Sequence, residues 1–194
     1  MRKAIIVGAF ALMALAPSSA RADWLFTPFV GPDFGGDTTD QKLNYGASLG
    51  FMGAGIFGFE VDFGYSPDFF DTDNQIQLID TSNVTTLMAN AIIGAPIGGQ
   101  HGTGVRPYAS GGIGLLRTHV TSAGNLFQDI NNNDFGVNVG AGLMGFFSDN
   151  VGLRGDLRYF RTLTDPERDN EFDIALGRFN YWRGTVGVVF RFGQ

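Results

Sequence analysis

The stretch that decides the fold is Phe57-Gly58-Phe59-Glu60-Val61-Asp62-Phe63-Gly64-Tyr65. Its odd-numbered residues are all aromatic or β-branched and apolar, and its even-numbered residues are glycine or carboxylates. Successive side chains on a β-strand point to opposite faces, so this segment reads as a strand with one wholly apolar face. The other face carries charge and empty space.

The same pattern recurs on either side. Tyr45, Ala47, Leu49 and Phe51 alternate with Asn44, Gly46, Ser48 and Gly50. Phe135, Val137, Val139, Ala141, Leu143 and Phe147 oppose Gly136, Asn138, Gly140 and Gly142. Val151, Leu153, Leu157 and Tyr159 oppose Arg154, Asp156 and Arg158, and Trp182, Val186, Val188, Phe190 and Phe192 oppose Arg183, Thr185, Gly187 and Arg191. Eight strands are expected, over 24–31, 43–52, 55–66, 84–95, 105–118, 135–147, 151–162 and 180–192. The first and fourth alternate poorly. No stretch of the mature chain offers convincing helical periodicity.

Eight alternating strands fit either a soluble barrel, apolar face inward, or a membrane barrel, apolar face toward lipid. A water-facing surface is rich in Lys, Glu and Thr. The polar faces here are mostly Gly, Asn and Ser, with a few charges of both signs. Small residues beside mutually neutralising charges suit an enclosed interior, and the lumen of an eight-stranded barrel is just wide enough for side chains to fill. The expected fold class is therefore all-β, an eight-stranded antiparallel up-and-down transmembrane β-barrel. The connections agree, because 32–42, 67–83, 119–134 and 163–179 are long and polar. Those between them, Gly53-Ala54, 96–104 and Ser148-Asp149-Asn150, are shorter, which matches long outer loops and short periplasmic turns. Trp24, Tyr108, Phe147, Trp182, Phe190 and Phe192 fall near strand ends, and are expected to form aromatic belts at the two membrane interfaces.

The N-terminus reads as an export signal. Arg2 and Lys3 precede the apolar run Ala4 to Ala16, and Pro17-Ser18-Ser19-Ala20-Arg21-Ala22 supplies small residues for cleavage after Ala22. The run is too short to span a bilayer core of roughly 30 Å. Residues 1–22 are thus expected to be a cleaved signal peptide and 23–194 the barrel domain. That domain holds all 19 acidic residues and 10 of the 13 basic ones, a formal charge of 10 − 19 = −9. With Lys42 its single lysine, it has no electrostatic footprint for nucleic acid. The chain has no cysteine, so neither disulfides nor thiolate metal sites are available. Gly is abundant, at 29 residues, but 44 % hydrophobic content argues against disorder.

Three phrases carry a family resemblance: Arg106-Pro107-Tyr108-Ala109-Ser110-Gly111-Gly112-Ile113-Gly114, Val151-Gly152-Leu153-Arg154-Gly155-Asp156-Leu157-Arg158-Tyr159-Phe160, and the closing Gly187-Val188-Val189-Phe190-Arg191-Phe192. In this order they make the chain similar to the OmpA/OmpX-type small outer-membrane barrels. The resemblance implies a place in the bacterial outer membrane, among lipid and lipopolysaccharide. It also implies insertion by the barrel-assembly machinery, which reads a terminal aromatic; here Gly193 and Gln194 follow Phe192.

The best-defined side-chain constellation is the interior charge set: Glu60, Asp62, Arg154, Asp156, Arg158, Arg183 and Arg191. Buried charges must find partners, so a lumenal ion-pair network with a structural role is expected, and a gated ion path is the rival reading. Catalysis is not expected, and neither is a cofactor. A lipid deacylase needs a serine activated by histidine. The histidines are His101, in a Gly-rich turn expected on the periplasmic side, and His119, with Ser122 nearby. Asp71-Thr72-Asp73-Asn74-Gln75 starts like an EF-hand loop, but Ile76 and Ser82 occupy the glycine and glutamate positions. Gly98 to Gly104 lacks the lysine of a phosphate-binding loop. Partial alternation in Glu171 to Phe179 suggests strands projecting above the membrane, where an edge recruits a surface ligand. The expected function is structural support of the envelope with outer loops that mediate adhesion; the alternative is a narrow pathway for small apolar molecules.

Overall fold

A computed structural model describes residues 22–36, 38, 41–67, 79–98, 102–122, 130–163 and 180–193, with side chains left out at 22, 79–82, 119–122 and 130–132. The signal segment apart from Ala22, the EF-hand-like run, His101 and Glu171–Phe179 lie outside these residues. So do the side chains of His119 and Ser122.

Eight strands follow one another: β1 (Ala22–Phe34), β2 (Lys42–Gly53), β3 (Phe57–Pro67), β4 (Ile79–Gly94), β5 (Gly104–Ser122), β6 (Ile130–Phe146), β7 (Val151–Thr162) and β8 (Asn180–Phe192). Each pairs antiparallel with its neighbour in sequence, and β8 pairs with β1, so the sheet closes into a barrel. Closure leaves no sheet edge, which is the condition for a β-sheet to cross lipid.

The stagger follows from the pairings. The chain of partners Trp24, Phe51, Phe59, Ala91, Gly111, Val139, Tyr159 and Trp182 returns to β1 at Phe34, ten residues beyond Trp24. The number must be even, or the inner face would become the outer one after a single circuit. Strands about 4.8 Å apart, rising about 3.3 Å per residue, then tilt by roughly 40° from the axis. One residue along a strand gains about 2.5 Å of height, and one step across to the next strand about 3 Å.

Alternation is regular around the barrel. Trp24, Leu49, Phe59, Val61, Leu87, Ile113, Val139, Leu157 and Val186 face outward, and Thr27, Ser48, Glu60, Asp62, Thr86, Ser110, Asn138 and Arg158 are buried. The inverted arrangement, apolar out and polar in, is that of a transmembrane barrel. β1 and β4, which alternate poorly in sequence, obey the same rule: Leu25, Met88 and Ile92 lie inside with Thr27 and Asn90. Their inward face is apolar at some levels because the lumen is layered. Leu25, Met52, Ile92, Tyr108, Met144, Phe146 and Val189 cluster at the end with the termini and short turns, and Val84, Met88, Leu116, Phe160 and Tyr181 at the other end.

Three strand pairs run further than the alternation predicts. β4 and β5 pair up to Ile79 with Ser122, β5 and β6 up to Val120 with Ile130, and β1 and β2 out to Asp33 with Lys42. Above the lipid a ladder no longer needs an apolar face, so polar runs such as Asn131-Asn132-Asn133-Asp134 continue it without any sequence signal. At the opposite end the β2–β3 reversal is tight. Ile56 N donates to Gly53 O at 3.0 Å, with Ala54 and Gly55 both at positive φ (50° and 70°). That is the mirror-image turn whose twist suits a hairpin, and alanine holds its first central position.

Tyr108 corrects the sequence reading. It was expected in an interfacial belt, but only 5 % of it is exposed and it points into the lumen. It shares parity with the buried Arg106 and Ser110, whereas Val105 and Ile113 hold the outward parity of β5. The other five belt aromatics lie on the outward parity, Trp24, Phe147, Trp182 and Phe192 exposed and Phe190 half-buried.

Val61, at mid-height on the outward face of β3, tests the inverted architecture. Val61→Arg is expected to lower stability by about 2–4 kcal/mol in bilayers. Guanidinium titration of the vesicle-inserted protein measures it; an unchanged midpoint would mean that this face does not meet lipid.

Candidate functional site: the charge layer of the lumen

Between the two apolar clusters lies a layer of charge. Glu60 and Asp62 project inward from β3; Arg154, Asp156 and Arg158 project from β7, four strands away and therefore on the opposite wall. The arginines span the lumen. Arg158 Nη2 donates to Glu60 Oε1 at 2.6 Å, and Arg154 Nη1 donates to Glu60 Oε2. One carboxylate is thereby shared between two guanidinium groups. Arg158 Nε also holds Asp156 Oδ1 at 2.6 Å, and its Nη1 lies 3.4 Å from Asp62 Oδ2. Asp62 in turn takes a hydrogen bond of 2.6 Å from Arg183 Nη2 on β8.

The formal charges cancel. Glu60, Asp62 and Asp156 stand against Arg154, Arg158 and Arg183, and all six side chains are buried. Charge-assisted hydrogen bonds in a space without bulk water are stronger than neutral ones, but only a fully matched set offsets the loss of hydration. Neutral groups complete the set. Tyr108 OH donates to Asp156 Oδ2 and accepts from Arg154 Nε at 2.6 Å. Asn138 donates to Asn90 Oδ1 at 2.7 Å, and Asn90 to Glu60. The Arg183 guanidinium lies over the rings of Phe160, at 4.7 Å, and Phe29, at 5.0 Å. Its reach needs a gap on the far wall. A Cβ on Gly64 would sit 2.5 Å from Arg183 Nη1, so the glycine is the space the guanidinium occupies.

Arg191 does not join this layer. It is eight residues from Arg183 along β8, near the periplasmic end, where its Nε donates to Asp149 O at 2.5 Å and its guanidinium covers Phe146 at 4.4 Å. Arg106 covers the same ring at 5.5 Å, with Asp23 3.7 Å away. A second polar group lies near the outer end. Asn44 Nδ2 donates to Ser66 Oγ at 2.8 Å, and Ser66 Oγ donates to the buried Asp33. Sequence reasoning set Asn44 and Asn138 on polar inward faces without naming them as site residues, missed Asp33, Ser66 and Asn90, and put Tyr108 in an interfacial belt. Inward parity on β2, β3 and β6 was the available signal for Asn44, Ser66 and Asn138; the poorly alternating β1 and β4 gave none for Asp33 and Asn90. The space beside the charges, lined by Thr27, Ser48, Asp62 and Thr185 among others, amounts to about 10 Å³, room for roughly one water.

Closed shear, lipid-facing apolar surface and charge-filled lumen define a small transmembrane β-barrel whose interior is packed rather than open. The chain belongs to the outer membrane protein beta-barrel domain family, which matches residues 4–192. It is a protein of the bacterial outer membrane. Among solved structures it is similar to the N-terminal barrel domain of Pseudomonas aeruginosa OprF, at 20 % identity and a TM-score of 0.58, over 90 % of this chain and 100 % of that one. It is similar also to Neisserial surface protein A, at 17 % identity and 0.63, over 88 % and 99 %. A third is Ail of Yersinia pestis, solved with the heparin analogue sucrose octasulfate, at 13 % identity and 0.55, over 89 % and 99 %. No curated protein matches the chain. The family and these neighbours are outer-membrane barrels rather than enzymes.

Glu60→Ala removes the carboxylate that Arg154 and Arg158 share and leaves uncompensated charge in the lumen. A loss of about 3–5 kcal/mol is expected. It would be read as a lower temperature at which the compact gel band converts to the unfolded one; a shift no larger than that of Val61→Ala would mean that the layer contributes little.

Proposed function

We propose that this barrel is a structural anchor of the outer membrane, a sealed support that carries its outer segments on the cell surface. The single observation behind this reading is the neutral, cross-lumen charge layer with about 10 Å³ of space beside it. Such an interior contributes to stability and leaves no path for a hydrated ion. The alternative of a pathway for small apolar molecules finds little support in a lumen whose middle is charged and whose two ends are packed with Met, Leu, Phe and Tyr.

The seven predicted charge residues then serve as structure, six in the layer and Arg191 beneath it. The aromatic belts lie at headgroup level, Trp24, Phe147, Phe190 and Phe192 on the periplasmic side and Trp182 on the outer side, joined there by Tyr45, Tyr65 and Tyr159. Residues 1–22 serve export and are removed. The barrel-assembly machinery inserts what remains, and lipopolysaccharide surrounds it.

Adhesion is the finer reading, and charge restricts it. The segments 35–41, 68–78, 123–129 and 164–179 hold Asp37, Asp40, Asp68, Asp71, Asp73, Asp129, Asp165, Glu167, Asp169, Glu171 and Asp173 against Arg168 and Arg178. Ail was solved with a sulfated polyanion, whereas an outer surface of this composition repels one. Its ligand is a cationic surface, or an anionic one bridged by divalent cations.

Planar-bilayer recording tests the sealed anchor. The wild type and Arg158→Ala are both expected to show conductance indistinguishable from a protein-free membrane. Discrete openings in the wild type would overturn the anchor, and openings confined to Arg158→Ala would make that arginine a gate.

A further inference from the structure

The periplasmic end of the lumen holds two cations in an apolar setting. Arg106 on β5 and Arg191 on β8 are only 2 % and 4 % exposed, beside the cluster that includes Met52, Met144 and Phe146. Both guanidinium groups lie over the Phe146 ring, at 5.5 Å and 4.4 Å, so two like charges are near neighbours where little screens them. Arg106 is poorly matched there. Its Nη1 donates to the thioether sulfur of Met52 at 3.6 Å, and its Nη2 lies 3.7 Å from Asp23 Oδ2. Its buried Nε makes no hydrogen bond. Arg158, higher in the same lumen, reaches three carboxylates. A thioether is a weak acceptor, and a buried charged donor left unmatched is costly.

Both arginines line a cavity of about 10 Å³, just inside the connection between β4 and β5. Its other lining residues, Pro96, Gly102, Gly104, Val105 and Phe146, have no polar side chain. The side chains around this space therefore offer donors and no acceptor, because a guanidinium carries five N–H groups and accepts nothing. A water there could accept from Arg106 Nε but would find no side chain for its own two protons. An anion only accepts, so it suits this set. Size narrows the choice, since the space admits one water-sized or halide-sized centre and not the four oxygens of phosphate or sulfate. The walls are fixed in place. A Cβ on Gly55 would stand 2.7 Å from Arg106 Nη2, so the guanidinium fills the space that this glycine leaves. Gly102 N donates to Asp149 Oδ1 at 2.7 Å and Arg191 Nε donates to Asp149 O, which ties the two periplasmic turns together beside the cavity.

We propose that Arg106 and Arg191 hold a single halide-sized anion, chloride in the cell, in the cavity that they line. The proposal goes beyond the reading of the barrel as a sealed anchor, because it gives the lumen a ligand of its own at the periplasmic end. Arg106 Nε donates to the ion, which also relieves the repulsion between the two guanidinium groups over Phe146. Charge-assisted hydrogen bonds of this kind are strong where bulk water does not compete. An ion that binds the folded barrel and not the unfolded chain shifts the folding equilibrium, so the stability of the barrel follows the anion around it.

The test uses the mature full-length barrel. Crystals grown without halide and soaked in sodium bromide are expected to show an anomalous peak in contact with Arg106 Nε. In phosphatidylcholine vesicles at matched ionic strength, the urea unfolding midpoint should rise when sodium chloride replaces sodium gluconate, whose anion is too large for the cavity. At a chloride concentration about ten times the dissociation constant, the ratio of folded to unfolded barrel should rise about tenfold. Sodium sulfate should behave like gluconate. The double variant Asp23→Asn/Arg106→Gln removes the cation together with its carboxylate and leaves the charge count unchanged; its midpoint should be the same in both salts. Were that variant not to fold, the wild-type crystal and salt comparison would still decide. Bromide found at exposed positions but not at Arg106 would be an adventitious ion only and would overturn the proposal. So would equal wild-type midpoints in chloride and gluconate, or a chloride effect that persists in the double variant. None of these results bears on conductance, which tests the sealed anchor separately.

Discussion

Everything in this structure depends on the ladder between β1 and β8. Without that closure the sheet would carry two rows of unpaired amides into hydrocarbon, where each unsatisfied group costs several kcal/mol. Closure with a stagger of ten residues sets the tilt and hence the radius of the lumen. The radius decides what fills it: too narrow for a channel, too wide for glycine and serine alone. Arginine is long enough to cross such a space, and its planar fork suits two carboxylates at once. Arg158 does both, reaching from β7 to Glu60 and Asp62 on the opposite wall while holding Asp156 on its own.

The interior is therefore stratified, with charge at mid-height and apolar side chains at both ends. Burying six charges is unfavourable unless each is matched, and here they are matched three against three. The apolar clusters above and below keep water from competing for those hydrogen bonds. The arrangement turns a polar lumen, which in a wider barrel would conduct, into a packed core. In the same way the outward face, which would aggregate in water, becomes the surface that lipid solvates.

Much of this was legible in the sequence, for one reason. In a barrel that faces lipid outside and a filled lumen inside, the period of two is enforced at every position of the membrane-spanning part. Phe57 to Tyr65 alone gives the strand, its two faces and the presence of charge on the hidden one. The alternation was faint on β1 and β4 because Leu25, Met88 and Ile92 are apolar on the inner face too, as members of the end clusters. Tyr108 was misplaced on similar grounds. An aromatic residue near a strand end resembles an interfacial anchor, and only the parity of β5 sends it inward to Asp156 and Arg154.

The sequence by itself determined the fold class, the polarity of the faces, the alternation of long and short connections and the identity of the charges, because all of these are local or periodic properties. The tertiary structure alone decided which charges meet. The distance from Glu60 to Arg158 along the chain is 98 residues, and that they face each other follows from strand number and stagger. It also decided that Arg191 stands apart from the layer and that Gly64 is the space into which Arg183 reaches. Each is a matter of height on a tilted cylinder. A linear pattern fixes the side of the wall a residue faces; only the closed register fixes its height.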